Sequence, residues 1–253
     1  MAADEQRQLI LDQFTRQAKP FSEMHARDDF EIHRLLIATA GITPVDEVLD
    51  VACGPGLVAC EVAKAAKHVT GIDLTPAMIE QAGKRQQSLG LVNLSWIVGD
   101  AQPLPFAEGS FDKVITRYSF HHFTDPNGVF AEMKRVCRTG GRVTIADVFT
   151  NTPEQAAAYD RLEQWRDPSH THALQLTELE ALFAGMTDVR WEFYKYLVKV
   201  DDLLSRSFPV CGGTEAFREA VAADIGVGKL GIGASREDGL RFSFPVVIVS
   251  GIK

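Results

Sequence analysis

A short apolar run over residues 45–52 ends in Cys53-Gly54-Pro55-Gly56, and an amphipathic pattern starts directly behind it. No feature of the chain constrains its fold more. A brief apolar run closed by a glycine turn reads as a buried strand, and Leu57, Val58, Val62, Ala63 and Ala66 within residues 57–67 then recur at helical spacing. Strands buried on both faces belong to parallel sheets, which need crossover helices between strands. The rest of the chain keeps that rhythm. Strands are expected at 68–73, 94–98, 111–116 and 142–148, the last after a Gly140-Gly141 turn. Helices are expected from Thr75-Pro76 to about Gly90, over 126–137 behind Asp125 as N-cap, and near 153–166. Thr152 with Gln155, and Thr177 with Glu180 before a helix near 177–184, stand at capping-box spacing.

Two β-rich stretches, 189–200 and 240–250, close the chain with no long amphipathic helix between them, so they are expected to pair antiparallel. Together these elements predict an α/β, Rossmann-like fold. It is a seven-stranded, mostly parallel sheet with helices on both faces and an antiparallel C-terminal strand. Residues 1–43 read as helical. Leu9, Ile10, Phe14 and Ala18 form one stripe that Pro20 is expected to break, and a second helix covers 28–40, with Ile32, Leu35, Leu36 and Thr39 on one face. No repeat, low-complexity tract or linker marks a boundary, so 1–253 reads as one domain, with 45–150 as the core and 1–43 and 201–239 as covers.

Three acids sit at or just inside strand ends: Asp50, Asp73 and Asp100. In a parallel sheet the ligand crevice lies at the carboxyl ends of the strands. Gly54 and Gly56 let the backbone turn tightly there, and the following helix offers free N–H groups. Asp73 follows Gly56 by 17 residues at the end of the second strand. A carboxylate there can accept from both hydroxyls of a ribose. Gly54, Gly56 and Ala59 also satisfy G-x-G-x-x-[GA], so an NAD-dependent oxidoreductase stays open on these residues alone.

A wider set of residues narrows the choice. Val48-Leu49-Asp50-Val51-Ala52-Cys53-Gly54-Pro55-Gly56 resembles the first motif of class I S-adenosylmethionine (SAM)-dependent methyltransferases, with Ala52 where many members have glycine. Gly71-Ile72-Asp73-Leu74 resembles their ribose-binding strand end, and Gly99-Asp100-Ala101 with Leu104-Pro105-Phe106 their adenine-binding segment. Phe111-Asp112 and Arg138-Thr139-Gly140-Gly141-Arg142 resemble two later motifs. The match runs in order over 45–150. It implies SAM as cofactor and a methyltransferase as the activity. Asp50, Ala52, Gly54 and Gly56 would then face the methionyl end, Asp73 the ribose, Leu74 and Met78 the adenine ring, and Asp100 with the Ala101 backbone the adenine amine. A SAM-binding protein that transfers no methyl group would carry the same motifs.

Thr116-Arg117-Tyr118-Ser119-Phe120-His121-His122-Phe123, with Asp125-Pro126, resembles the branch containing ubiquinone- and menaquinone-biosynthesis methyltransferases and small-molecule N- and O-methyltransferases. Arg166-Asp167-Pro168-Ser169-His170 and Gln13-Phe14-Thr15-Arg16-Gln17-Ala18 resemble a subset that includes the N-methyltransferase of toxoflavin biosynthesis. The resemblance adds Phe14 and Arg117 to the cofactor set and implies a small, planar or aromatic acceptor, methylated on O, N or C. His121, His122 and His170 are the candidate bases if the acceptor must lose a proton, because imidazole titrates near neutrality.

Charge and cysteine usage exclude other classes. Lys and Arg number 26 against 34 Asp and Glu, a net −8, and no basic stripe supports nucleic-acid binding. The four cysteines form no C-x-x-C pair, no zinc-ligand spacing occurs, and no metal is expected; His170 and His172 lack a third ligand. Cys53 is expected to be packed rather than nucleophilic. No apolar run reaches membrane-spanning length, and no basic-then-apolar leader opens the chain, so a cytoplasmic protein is expected. No motif sets an oligomeric state.

Overall fold

The computed structural model describes residues 3–23 and 30–253. Two helices, α1 (Ala3–Ser22) and α2 (Phe30–Ala40), precede the alternating region. That region runs β1 (Glu47–Val51), α3 (Leu57–Val62), β2 (His68–Asp73), α4 (Pro76–Leu89), β3 (Leu94–Val98), β4 (Phe111–Arg117), α5 (Pro126–Val136) and β5 (Cys137–Val148). The chain closes with α6 (Pro153–Arg166), α7 (Leu176–Leu182), β6 (Thr187–Lys199), α8 (Val200–Ser205), α9 (Gly213–Ala223) and β7 (Arg241–Ile252).

Among the described residues seven strands form one sheet in the order β3-β2-β1-β4-β5-β7-β6. The first five are parallel; β7 runs antiparallel to both β5 and β6. The expected fold class is therefore the observed one. The strand order reverses beside β1, so the crevice predicted by topology opens at the carboxyl ends of β1 and β4. Apolar side chains pack on both faces. Leu49, Val114, Phe130 and Met133 lie in one cluster, and Ile32, Leu36, Val48 and Ile115 in the other. On α5 the buried Val129, Phe130, Met133 and Val136 make the stripe that seats the helix, each contributing about 1.5–3 kcal/mol.

Local readings needed several corrections. Pro20 lies inside α1 rather than ending it. Positions 28 and 29 of the expected second helix fall outside the described residues. β5 starts at Cys137 and takes in the Gly140-Gly141 pair read as a turn. The helix after the glycine turn stops at Val62, short of the expected residue 67. Thr75 occupies the N-cap of α4 but its side chain makes no capping bond. The capping box of α7 is Gln175 with Glu178, two residues before Thr177 and Glu180. At α6 only half of the expected box forms: Thr152 Oγ1 accepts from the Gln155 amide at 3.2 Å, while Gln155 Oε1 accepts from Asn151 N.

Trp96 on β3 fixes the glycine turn from beneath. A Cβ on Gly71 would lie 2.5 Å from its ring, and one on Gly56 2.8 Å. Its indole N–H donates to Gln86 Oε1 at 2.7 Å, which locks the ring in place. Gly71→Val should therefore cost about 3 kcal/mol of stability by overpacking, read as a lower denaturation midpoint; an unchanged midpoint would contradict the packing.

Candidate functional site

The chain leaves β1 through Ala52, Gly54 and Gly56, all in the left-handed region, with φ of 54°, 53° and 76°. Ala52, where many members of the resembled family carry glycine, thus holds a conformation that disfavours a Cβ by about 1–2 kcal/mol. The turn opens onto a cavity of about 400 Å³. Its wall includes Asp50, Ala52 and Gly54 from the first strand and turn, Asp73, Leu74 and Met78 from the second, and Asp100 and Ala101 after β3. It also includes Phe14 from α1, Arg117 from the end of β4, and His121, His122 and His170. Sequence positions spread over 157 residues, from 14 to 170, thus meet at one crevice. Gly56 does not line it. Its amide donates to Cys53 O at 3.1 Å, and its missing side chain makes room for Trp96. Gly56 therefore has a packing role beside the one expected of it toward a ligand.

Of the acids at this end, Asp73 is held by backbone amides, Asp50 feels the charge of Arg117, and Asp100 pairs with Arg7. Asp73 Oδ2 accepts from Gly54 N and Oδ1 from Thr75 N, both at 2.8 Å, so the second strand grips the turn of the first. Burial raises its carboxyl above the usual range despite those amides. Asp50 is buried, and its Oδ2 has no hydrogen-bond partner. Burial, followed by repulsion from Asp73, pushes it up to about 8. Burial and the same two acids push the Cys53 thiol up too, as expected for a packed cysteine rather than a nucleophile. Arg117 lies over the Tyr118 ring at 4.2 Å and meets His33 Nε2 at 3.3 Å. Asp100 is half-exposed and paired with Arg7 of α1.

The three histidines follow β4 and α6 into unlike environments. His121 Nδ1 donates to Asp147 Oδ1 at 2.6 Å, which leaves Nε2 with a lone pair in the neutral ring. Asp147 also accepts from Ser119 N and Phe120 N at 3.0 and 2.7 Å, so the end of β5 builds the turn that carries His121. Burial alone would pull His121 down, but the Asp147 charge and hydrogen bond, with the charges of Glu163 and Asp167, together hold the imidazole above its ordinary value. His122 Nδ1 donates to Ser169 O at 3.0 Å, and Phe14 meets its ring edge-on at 5.0 Å. Burial and the neighbouring His121 hold it well below the usual imidazole range, so it stays neutral. His170 Nε2 and His172 Nδ1 grip the two oxygens of Asp160, each at 2.8 Å. Among the described residues no three His, Cys, Asp or Glu side chains are grouped to hold a metal ion.

The cavity has further contributors beyond the expected site residues. Gln6 of α1 donates to His122 O and Ser169 O at 2.9 and 2.7 Å, which ties α1 across the cavity. Gln17 is fully buried on the cavity wall with neither amide atom bonded. Asp147, Tyr159 and Glu163 were not singled out; only a buried position on an otherwise polar helix could have flagged the last two.

The sheet order, the acid-flanked glycine turn and the covered cavity define the class: a Rossmann-like methyltransferase fold. Known proteins agree. A methyltransferase-domain profile matches residues 49–145. The uncharacterized methyltransferase YcgJ of Bacillus subtilis is 30% identical over 209 residues, 81% of each chain. A demethylmenaquinone methyltransferase of Renibacterium salmoninarum is 35% identical over 114 residues, 45% of this chain and 46% of that one. The crystal structure of YcgJ superposes with a TM-score of 0.81, covering 88% of this chain and 98% of that one at 24% identity. BH2331 of Bacillus halodurans gives 0.75, with 87% and 97% covered at 25% identity. The chain belongs to the methyltransferase family. Among the described residues no helix is long and apolar enough to cross a membrane.

Proposed function

We propose that the protein is a SAM-dependent methyltransferase acting on a small, planar acceptor. The observation that carries the reading is Asp50: a buried carboxylate oxygen without a partner, at the lip of a glycine turn, beside a second acid. Although the Arg117 charge reaches Asp50, a donor at Oδ2, best a cationic one, is what such a site lacks. The methionyl ammonium of SAM supplies one, and Asp73 offers a lone pair on each oxygen for the ribose hydroxyls. A dinucleotide pyrophosphate would instead bring two negative charges to a turn already flanked by two acids, Asp50 and Asp73. Leu74 and Met78 give the adenine ring an apolar slot, and Asp100 accepts from its amine.

SAM supplies a methyl carbon on a positively charged sulfur, which leaves as the neutral thioether of S-adenosylhomocysteine with the bonding electron pair. The residues of the chain do the rest. Phe14 and Gln6 of α1 keep water from the cavity, and 201–239 covers its acceptor end. His121, oriented by Asp147, receives the acceptor's proton on Nε2 as the acceptor atom bonds to the methyl carbon. His122 and His170 shape the wall around it. The resemblance of residues 166–170 to toxoflavin-type N-methyltransferases supports a ring heteroatom as the methylated position. The protein's place is the cytoplasm, where both partners are small metabolites, and 1–253 acts as one domain.

Equilibrium dialysis separates the rival cofactors. SAM should bind with a Kd of about 10–100 μM or tighter, and NAD should not compete. NAD binding with no SAM uptake would reverse the assignment.

A further inference from the structure

α6 carries Tyr159, Glu163 and Arg166 at i, i+4 and i+7, a spacing that sets them on one face. All three line the cavity. Glu163 is only 2% exposed. Its Oε2 accepts from Arg166, whose Nε lies at 3.1 Å, and Arg166 passes a further bond to Ser207 Oγ at 3.3 Å. Its Oε1 is buried and takes no hydrogen bond. A carboxylate has room for about four hydrogen bonds, and buried acceptors are nearly always satisfied. The charge is already neutralised by Arg166, so what Oε1 lacks is a neutral donor rather than a second cation.

The surroundings describe the molecule that would bring it. Tyr118, Tyr196 and Phe244 line the same cavity, together with Val148, Val198 and Leu203. Tyr159 and His121 flank His170 at 6.1 and 5.3 Å between ring centroids, which spans the distance from α6 to the proposed base. Glu163 lies close enough to His121 for its charge to act on the imidazole. An acceptor-only oxygen is thus set in an aromatic slot beside the group that takes the proton.

Resting on the methyltransferase reading, we propose that Glu163 Oε1 selects the methyl acceptor. The substrate class is a planar ring that bears, besides the nucleophilic atom, a second N–H or O–H group donating to Glu163. A ring without that donor leaves Oε1 dry and unpaired, and sites of this kind reject such analogues strongly.

The test uses the full chain saturated with S-adenosylhomocysteine and two matched ring pairs, resorcinol with 3-methoxyphenol and uracil with 1-methyluracil. Dissociation constants are read by saturation-transfer NMR up to 5 mM ligand. The two-donor member of at least one pair should bind about tenfold or more tightly than its twin. That advantage should shrink to about threefold or less in Glu163→Gln and in Glu163→Asp, with the S-adenosylhomocysteine affinity unchanged. The second variant keeps the charge facing Arg166 and serves if the first does not fold. Equal binding of both twins, an advantage that survives either variant, or no binding by any of the four rings overturns the proposal. Failure of the wild-type chain to bind S-adenosylhomocysteine would instead overturn the cofactor reading beneath it.

Discussion

Asp147→Asn should lower the methyl-transfer rate by about 10²- to 10⁴-fold, the range expected when an oriented base loses the group that fixes its tautomer. The wild-type ring is held above its ordinary value, because the Asp147 charge and hydrogen bond, with the charges of Glu163 and Asp167, together outweigh burial. Nε2 is therefore free to take a proton only above that raised value, and the rate should rise with pH through a midpoint above about 6.5. Removing the Asp147 charge leaves burial opposed mainly by the weaker effects of Glu163 and Asp167. The limb should then move to lower pH while the plateau falls. A purely structural role would lower the amount of folded enzyme without moving the limb, so the pH profile decides between the two. An unmoved limb with an intact plateau would remove Asp147 and His121 from the proton's path.

The second large effect concerns Asp73. It joins the turn of β1 to the end of β2 through Gly54 N and Thr75 N, and the account gives its remaining lone pairs to the ribose. Asp73→Ala should weaken SAM by about 1–3 kcal/mol, roughly 5- to 150-fold. Asp100→Ala should weaken it less, because that carboxylate is half-exposed and already paired with Arg7. Titration calorimetry on both variants, with melting curves as a folding control, ranks the two acids. Equal affinities for wild type and Asp73→Ala would take Asp73 out of the site.

What the sequence made legible was local. The strand, the glycine turn and the acid at the next strand end are specified by neighbours in the chain, and they stand where residues 45–100 placed them. Gly56 shows the limit even there: the pattern marks a position needing glycine, but not the Trp96 ring 40 residues on for which that glycine makes room. Asp147 was out of reach because it meets His121 only through the β4–β5 register, which aligns Arg117 with Ala146. Glu163 was out of reach for a different reason. α6 carries no clean apolar stripe, so Glu163 reads as solvent-facing until the cavity gives it a buried face. The α7 cap was missed because glutamine, a less common N-cap than threonine, takes the position. Pro20 sits in the last turn of α1, so the one i→i−4 hydrogen bond it removes and any kink it makes disturb only the helix end.

The central claim is that this cavity moves a methyl group rather than merely holding SAM. The direct measurement incubates the purified chain with methyl-tritiated SAM and a small-molecule extract of its source cells, and follows label and S-adenosylhomocysteine together. Both should appear in equal amounts, the label on a compound of low molecular mass, and His121→Ala should suppress both. Bound SAM that stays unconsumed, with no S-adenosylhomocysteine formed from any fraction, would contradict the claim.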